Sequence, residues 1–267
     1  MNFQTIVSSI LIKLNLLLMV TDLNINHGTA IAFCATKDLI FIAVDSQINH
    51  EKGFKSSRNK IHTLNNTTWV NTGLYKYSDE FNIDEIISTE FGQLSGKENF
   101  KSAHLAVRKV VSTKLKDVLP KVELLYPELL KPGIPIICTL IISHTGESFY
   151  FERVNYYFEK SKDGNFQITD KVIETNQEIS NTLFNTLGSN KSSKPMLDKM
   201  LASENPNYFE DVKIPEKPAF KFLSMPEILY YLVYLEVKGN PSEVGAPISV
   251  VRVTKDGLKG IIDYPVK

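Results

Sequence analysis

The 267-residue sequence predicts an α+β domain in which strand layers pack between helix layers. Three observations lead there. Short β-branched and aromatic runs alternate with paired helical patterns, in the order strands, two helices, strands, two helices, strands. No linker and no repeat at a solenoid period divides the chain. The composition, 43% hydrophobic and 22% charged, is that of a globular protein with ample core, and excludes disorder for the bulk of the chain.

The first stretch, residues 6–20, reads IVSSILIKLNLLLMV. It is too short and too interrupted by Lys13, Asn15 and two serines for a membrane-spanning helix, so no stable membrane insertion of the mature chain is expected. A signal peptide fits its length, but no basic residue precedes it and no A-x-A site follows. A propeptide, or a start at Met19, fits equally. The compartment follows that choice: cytoplasmic for a propeptide, extracytoplasmic or secreted for a signal peptide.

Residues 29–44, TAIAFCATKDLIFIAV, read as a β-hairpin turning at Thr36-Lys37-Asp38, its second strand apolar enough to be buried on both faces. Residues 60–73 add two short strands around an Asn-Asn turn. Ser78 to Phe91 and Ser102 to Leu119 carry apolar residues at helical spacing, with Pro120 expected to stop the second. Residues 134–143 are a β-branched strand. Thr145-Gly146-Glu147 turns the chain into a strand from 148 that runs on through Tyr156 to Phe158. Ser192 to Leu201 and Ser224 to Glu236 read as helices, with Gly239 placed to cap the latter. The chain closes with a hairpin around Lys255-Asp256-Gly257. Residues 203–221, with three prolines and little periodicity, read as a surface loop or insertion.

The charge balance, 30 basic against 30 acidic residues, gives no pull toward nucleic acid. Cys34 and Cys138 are too few for a disulfide framework or a Cys-based zinc site and read as small buried hydrophobes. The five histidines have no metal-ligand spacing, so no metal and no cofactor are expected.

One constellation suggests chemistry. Gly28-Thr29 leads into the first hairpin, whose second strand ends in Asp45-Ser46, and Lys60 precedes the next strand. Each alone has an ordinary reading: Asp at a strand end, Lys at a strand edge, Gly73 and Gly188 in turns. Together, GTAIAF, DLIFIAVDS, RNKIHTL and NTG resemble the start of a proteasome-type β subunit, of the threonine peptidase family of N-terminal nucleophile (Ntn) hydrolases. Thr29 and Asp45 match without a gap, and Lys60 matches with one residue deleted. Leu187-Gly188-Ser189 before a helix, and Gly245-Ala246-Pro247-Ile248 before the last hairpin, extend the resemblance to about residue 262. NTG at 71–73 is expected to lead into the first helix.

The resemblance implies a four-layer αββα sandwich over residues 29–267 and removal of residues 1–28, with autoprocessing at Gly28. It also implies a threonine-type endopeptidase acting on peptide or protein substrates, assembled as a homo-oligomeric ring. Thr29 would be the nucleophile, Asp45, Lys60 and Ser189 its catalytic partners, and the Gly73 N–H the oxyanion donor. The chemistry is consistent: a hydroxyl needs a base, and a freed α-amine with pKa about 8 supplies one. One departure stands out. The family's Asp before the Gly-Gly turn has no counterpart in Gly239-Asn240-Pro241-Ser242-Glu243-Val244, where Asn240, Ser242 or Glu243 stands in or the role is absent. Two rivals remain open: a non-catalytic scaffold subunit that keeps residues 1–28, and a small-amide hydrolase of the wider nucleophile superfamily.

Overall fold

The computed structural model describes residues 23–26, 29–49, 55–57, 59–93, 100–147, 149–177, 182–202 and 224–264. The expectations placed on residues 6–20, Gly28 and 203–221 lie outside the described residues. Among those described, the chain is α+β with two antiparallel sheets and four α-helices.

The first sheet runs β1 (Leu23–Asn26), β7 (Thr67–Tyr77), β9 (Ile137–His144), β10 (Phe149–Lys160), β11 (Phe166–Thr175), with β6 (His62–Leu64) and β8 (Phe81–Asn82) also paired to β7. The second runs β12 (Leu183–Gly188), β2 (Ala30–Ala35), β3 (Leu39–Asp45), β13 (Ile248–Thr254), β14 (Gly257–Tyr264). β4 (Gln47–Asn49) and β5 (Lys55–Ser57) form a separate two-stranded ribbon. The helices are α1 (Ile83–Gly92), α2 (Phe100–Leu125), α3 (Ser193–Ala202) and α4 (Met225–Gly239).

Burial follows the sequence periods. Three apolar clusters form. One joins Phe91, Val107, Val111 and Leu115 of α1 and α2 to Ile137, Ile141 and Tyr156 of the first sheet. A second joins Phe33, Ile42 and Val251 of the second sheet to Leu140, Ile142 and Phe151 of the first. The third joins Ala32, Ala43 and Val250 to Leu197, Leu229 and Val233 of α3 and α4. The strands β2, β3, β9 and β13 thus face apolar neighbours on both sides, as their unbroken apolar runs require.

Four local expectations differ. The segment after Gly73 is strand, not helix: β7 continues to Tyr77, turns at Ser78 (φ 46°), and pairs with β8 before α1 starts at Ile83. The cap of α1 is Asn82, whose side chain accepts from the Asp84 N–H. Pro120 lies inside α2, which runs on to Leu125; buried Leu119 and Val122 offset the one hydrogen bond that proline removes. Gly239 is the last helical residue of α4, and Asn240 (φ −140°) follows as its cap. Strands β11 and β12 are not anticipated by the sequence reading: β11 has Phe166, Ile168 and Val172 facing the first apolar cluster, but Asp170 and Glu174 interrupt the apolar alternation, and β12 carries Asn185 and Thr186 on opposite faces.

A polar network lies between α2 and the first sheet. His104 is 1% exposed, with Nε2 3.2 Å from Ser143 Oγ and Nδ1 3.8 Å from Glu152. Glu152 pairs with Arg108 at 3.2 Å and accepts from Tyr150 OH at 3.0 Å. Burial first, and the Arg108 charge second, hold the His104 pKa down to about 3. The grouping of Ser143, His104 and Glu152 is sealed from solvent, so it anchors a helix and offers no reactive site.

Candidate active site

The hairpin β2–β3 sets the geometry. Its register pairs Ile31 with Val44, which leaves Thr29 and Asp45 at the same end of the two strands. Asp45 is fully buried and surrounded by donors. Its Oδ1 accepts from the Ala30 N–H at 2.9 Å, and Oδ2 from the Gln47 N–H at 3.0 Å and the Gly245 N–H at 3.3 Å. Lys60, 2% exposed, enters just before β6 and donates from Nζ to both carboxylate oxygens, at 3.0 and 3.1 Å. The same Nζ lies 3.0 Å from Thr29 Oγ1. Burial raises the Asp45 pKa, while the Lys60 charge and the N–H groups of Ala30 and Gly245 pull it back down. Every one of these partners is a donor, an arrangement that only the carboxylate form satisfies fully.

Two glycines allow close approach around Thr29. Gly188 has φ +73°, and a Cβ there would sit 1.8 Å from the Thr29 carbonyl oxygen. Gly73, with φ +95°, would place a Cβ 1.9 Å from the Ile136 carbonyl oxygen. Neither position tolerates a side chain, for backbone conformation and for space. Both glycines line the same cavity as Thr29. Next to Gly188, the Ser189 N–H donates to the Thr29 carbonyl at 2.8 Å.

The Ser189 hydroxyl meets the departing segment. It accepts from Asn240 Nδ2 at 3.1 Å and lies 3.4 Å from Glu236 Oε2 and 3.5 Å from Glu243 Oε2. Asn240 and Glu243 thus stand at Ser189, while the Ser242 carbonyl accepts from Gln47 Nε2 at 3.3 Å. Glu236 escaped the sequence reading. Its carboxylate is fully buried and accepts from the Ser192 and Ser193 N–H groups, at 2.6 and 2.7 Å, at the start of α3. The signal was available: Leu229, Leu232, Val233 and Val237 form the buried stripe of α4, and Glu236 falls on it.

Thr29, Asp45, Lys60, Gly73 and Ser189 therefore come together, and Gly28 lies outside the described residues. Residues 23–26 reach this place too. β1 pairs antiparallel with β7, placing Asn26 opposite Gly73. Among the described residues, no group of three or more His, Cys, Asp or Glu could hold a metal ion, and no helix is long and apolar enough to cross a membrane.

No family model matches the chain, and neither does any curated protein sequence. Solved structures do. An Anbu (Gly-1) mutant from Hyphomicrobium sp. strain MC1 aligns with TM-score 0.51 and 14% identity, covering 90% of this chain and 88% of that one. Anbu (ancestral beta-subunit) from Yersinia bercovieri aligns with TM-score 0.49 and 14% identity, covering 88% and 87%. At these identities the likeness is one of fold. It corrects the resemblance drawn from the sequence: the neighbours are Anbu proteins, proteasome-like but distinct from the proteasome-type β subunits of the threonine peptidase family. The short motifs misdirected the assignment because in this chain they mark a hairpin, a turn and a glycine, which specify local backbone and not a family.

Proposed function

We propose that this chain is a proteasome-like hydrolase that cuts peptide bonds with Thr29 as an N-terminal nucleophile, freed by removal of residues 1–28. The observation that carries the reading is Lys60 Nζ, held by the Asp45 carboxylate and 3.0 Å from Thr29 Oγ1. In the first event, Thr29 Oγ attacks the Gly28 carbonyl, the acyl group moves from nitrogen to oxygen, and water hydrolyses the ester. That leaves residues 1–28 as a carboxylic acid and frees the Thr29 α-amine.

The freed amine then takes the Oγ proton, directly or through a water, as Oγ attacks a substrate carbonyl. The negative charge on the tetrahedral oxygen is met by the Gly73 N–H. The leaving amine receives the proton, and a water molecule hydrolyses the acyl-enzyme. The Lys60 ammonium lowers the pKa values of the amine and hydroxyl beside it, and Asp45 fixes that ammonium. Ser189, braced by Asn240 and the carboxylates of Glu236 and Glu243, positions the amine or its water. The pairing of β1 with β7 supports a peptide substrate, because an extended main chain already lies along this edge. The three apolar clusters support a four-layer αββα sandwich of the Ntn-hydrolase type. A homo-oligomeric ring is the proposed assembly, and native mass tests it.

N-terminal sequencing of active protein should find Thr29 first, and Thr29→Ala should keep the precursor whole. Activity in a chain that retains residues 1–28 would overturn the reading. One observation favours a second reading, the non-catalytic scaffold: β1 occupies the strand edge beside Gly73, with Asn26 as its pairing partner. An intact mass that includes the leader, in an inert preparation, would select it.

A further inference from the structure

The apolar cluster between the two sheets gives way, at its Thr29 end, to a half-open cavity of about 410 Å³ with Thr29 on its wall. Its deep part is apolar and comes from both sheets. Leu187 of β12, 2% exposed, belongs to the cluster itself. Cys138, two residues before Leu140 of that cluster, lies on the same face of β9. At the mouth stand Ile134 and Pro135. Ile134 is 55% exposed, and among the described residues it is the one large exposed hydrophobic that lines this cavity.

The loop that carries Ile134 is tied down. The Ile134 N–H donates to the Lys131 carbonyl at 3.1 Å, across a turn at Gly133 (φ +78°). The Ile136 N–H donates to the Tyr156 carbonyl at 2.8 Å, and the Ile136 carbonyl accepts from the Leu74 N–H at 3.0 Å. Pro132 and Pro135 restrict the chain between those anchors. An isoleucine held in this way presents apolar surface that an arriving group can cover at little ordering cost. The charges on the wall give a charged occupant no advantage. Arg153 pairs with Glu174 at 3.1 Å, and Lys191 and Glu243 carry opposite signs.

The path of β1 supplies the direction. Residues 23–26 precede the Gly28–Thr29 bond, so in self-cleavage they belong to the acyl half. They pair with β7 from Gly73 to Tyr77. Gly73 meets Asn26 on one edge of β7 and Ile137 of β9 on the other. The cavity is on the β9 side: Thr72 and Gly73 line it but, among the described residues, none of Leu74–Tyr77 does. We propose that this cavity receives an apolar side chain from the first two residues after the scissile bond, with Ile134 closing over it. A substrate whose acyl half follows the path of β1 sends its leaving half there, so the protein selects substrates on the leaving side. The proposal rests on Thr29 acting as the nucleophile, and the test separates the two.

The purified chain is given a peptide library varied at each position flanking the cut, with products read by mass spectrometry. Binding of leucinamide and glycinamide is measured in parallel by calorimetry. The expected result is a kcat/KM about tenfold or more higher for leucine or isoleucine than for glycine or aspartate, at the first or second position after the cut. That ratio should fall to within about threefold in Ile134→Asp, while the ranking before the cut stays as it was. Cys138→Leu, which fills the deep part, should slow the leucine substrate and spare the glycine one, so a folding failure in one variant leaves the other to decide. Preference for glycine or aspartate after the cut, or an apolar preference that neither variant changes, overturns the subsite and leaves the Thr29 reading intact. An Ile134→Asp effect confined to positions before the cut overturns the assignment to the leaving side. No cleavage, but tighter binding of leucinamide that Ile134→Asp abolishes, overturns the Thr29 reading and keeps the apolar site. Neither cleavage nor selective binding overturns both.

Discussion

Lys60 is a buried cation paired with the Asp45 carboxylate, and the two can be removed one at a time. Lys60→Ala takes the charge from beside Thr29, raises the pKa of the hydroxyl and amine there, and should cut turnover at least a hundredfold, about 2.7 kcal/mol. Asp45→Asn should match that loss in turnover and also unfold earlier. It strands a buried ammonium, and breaking such a pair costs about 3–5 kcal/mol. The double variant should be little slower than either single one, because both act on one unit. Peptide turnover and urea midpoints measure all three. Lys55→Ala is the control and should be near neutral; if it abolishes turnover while Lys60→Ala does not, the ammonium has been assigned to the wrong residue. Gly188→Ala belongs at this scale too. Its Cβ would meet the Thr29 carbonyl oxygen at 1.8 Å, so Thr29 must shift and the proposed self-cleavage at Gly28 should stop.

At the scale of elements, the Glu236 carboxylate ties α4 to the first turn of α3 and to Ser189. Hydrogen bonds to a charged group are worth about 1.5–3 kcal/mol each, and the α3 N–H groups have no substitute once the carboxylate is gone. Glu236→Ala should therefore speed hydrogen exchange at the Ser192 and Ser193 amides while the amides of β9 and β10 keep their protection. Uniform loss of protection would show instead that Glu236 supports the fold as a whole. The element boundaries carry a related lesson. Gly73 is a turn glycine by sequence but sits within an eleven-residue strand, because β9 pairs β7 from Thr67 to Gly73 and β1 and β8 pair it onward to Tyr77. Pro120 is a helix stop by sequence but is carried through, because the residues around it are buried against the first sheet.

For the molecule as a whole, His104 links stability to pH. Its folded pKa is about 3, against about 6.5 in an unfolded chain. Between those values the unfolded chain binds a proton that the folded one refuses, so stability falls as pH drops through that window. The slope from this one group approaches about 1.4 kcal/mol per pH unit and vanishes above pH 6.5. Urea unfolding between pH 7.5 and 4.5 should show the decline, and His104→Gln should flatten it. An identical slope in the variant would place the acid sensitivity elsewhere.

What the sequence determined by itself was local. Alternation over adjacent residues specified the hairpin that sets Thr29 against Asp45, and the Lys255-Asp256-Gly257 turn specified β13 against β14, because strand partners a few residues apart share one periodic signal. Helical stripes located all four helices, although α1 starts five residues after Ser78 and α2 runs six residues past Leu119. Tertiary structure alone decided the rest. Lys60 reaches Thr29 through the stacking of the two sheets, and the Gly245 N–H reaches Asp45 from 200 residues away. Asn240 and Glu243 converge on Ser189 across more than fifty residues. Short-range periodicity encodes which face a residue presents. It carries no information on which distant face will meet it, and that meeting is where the candidate site is made.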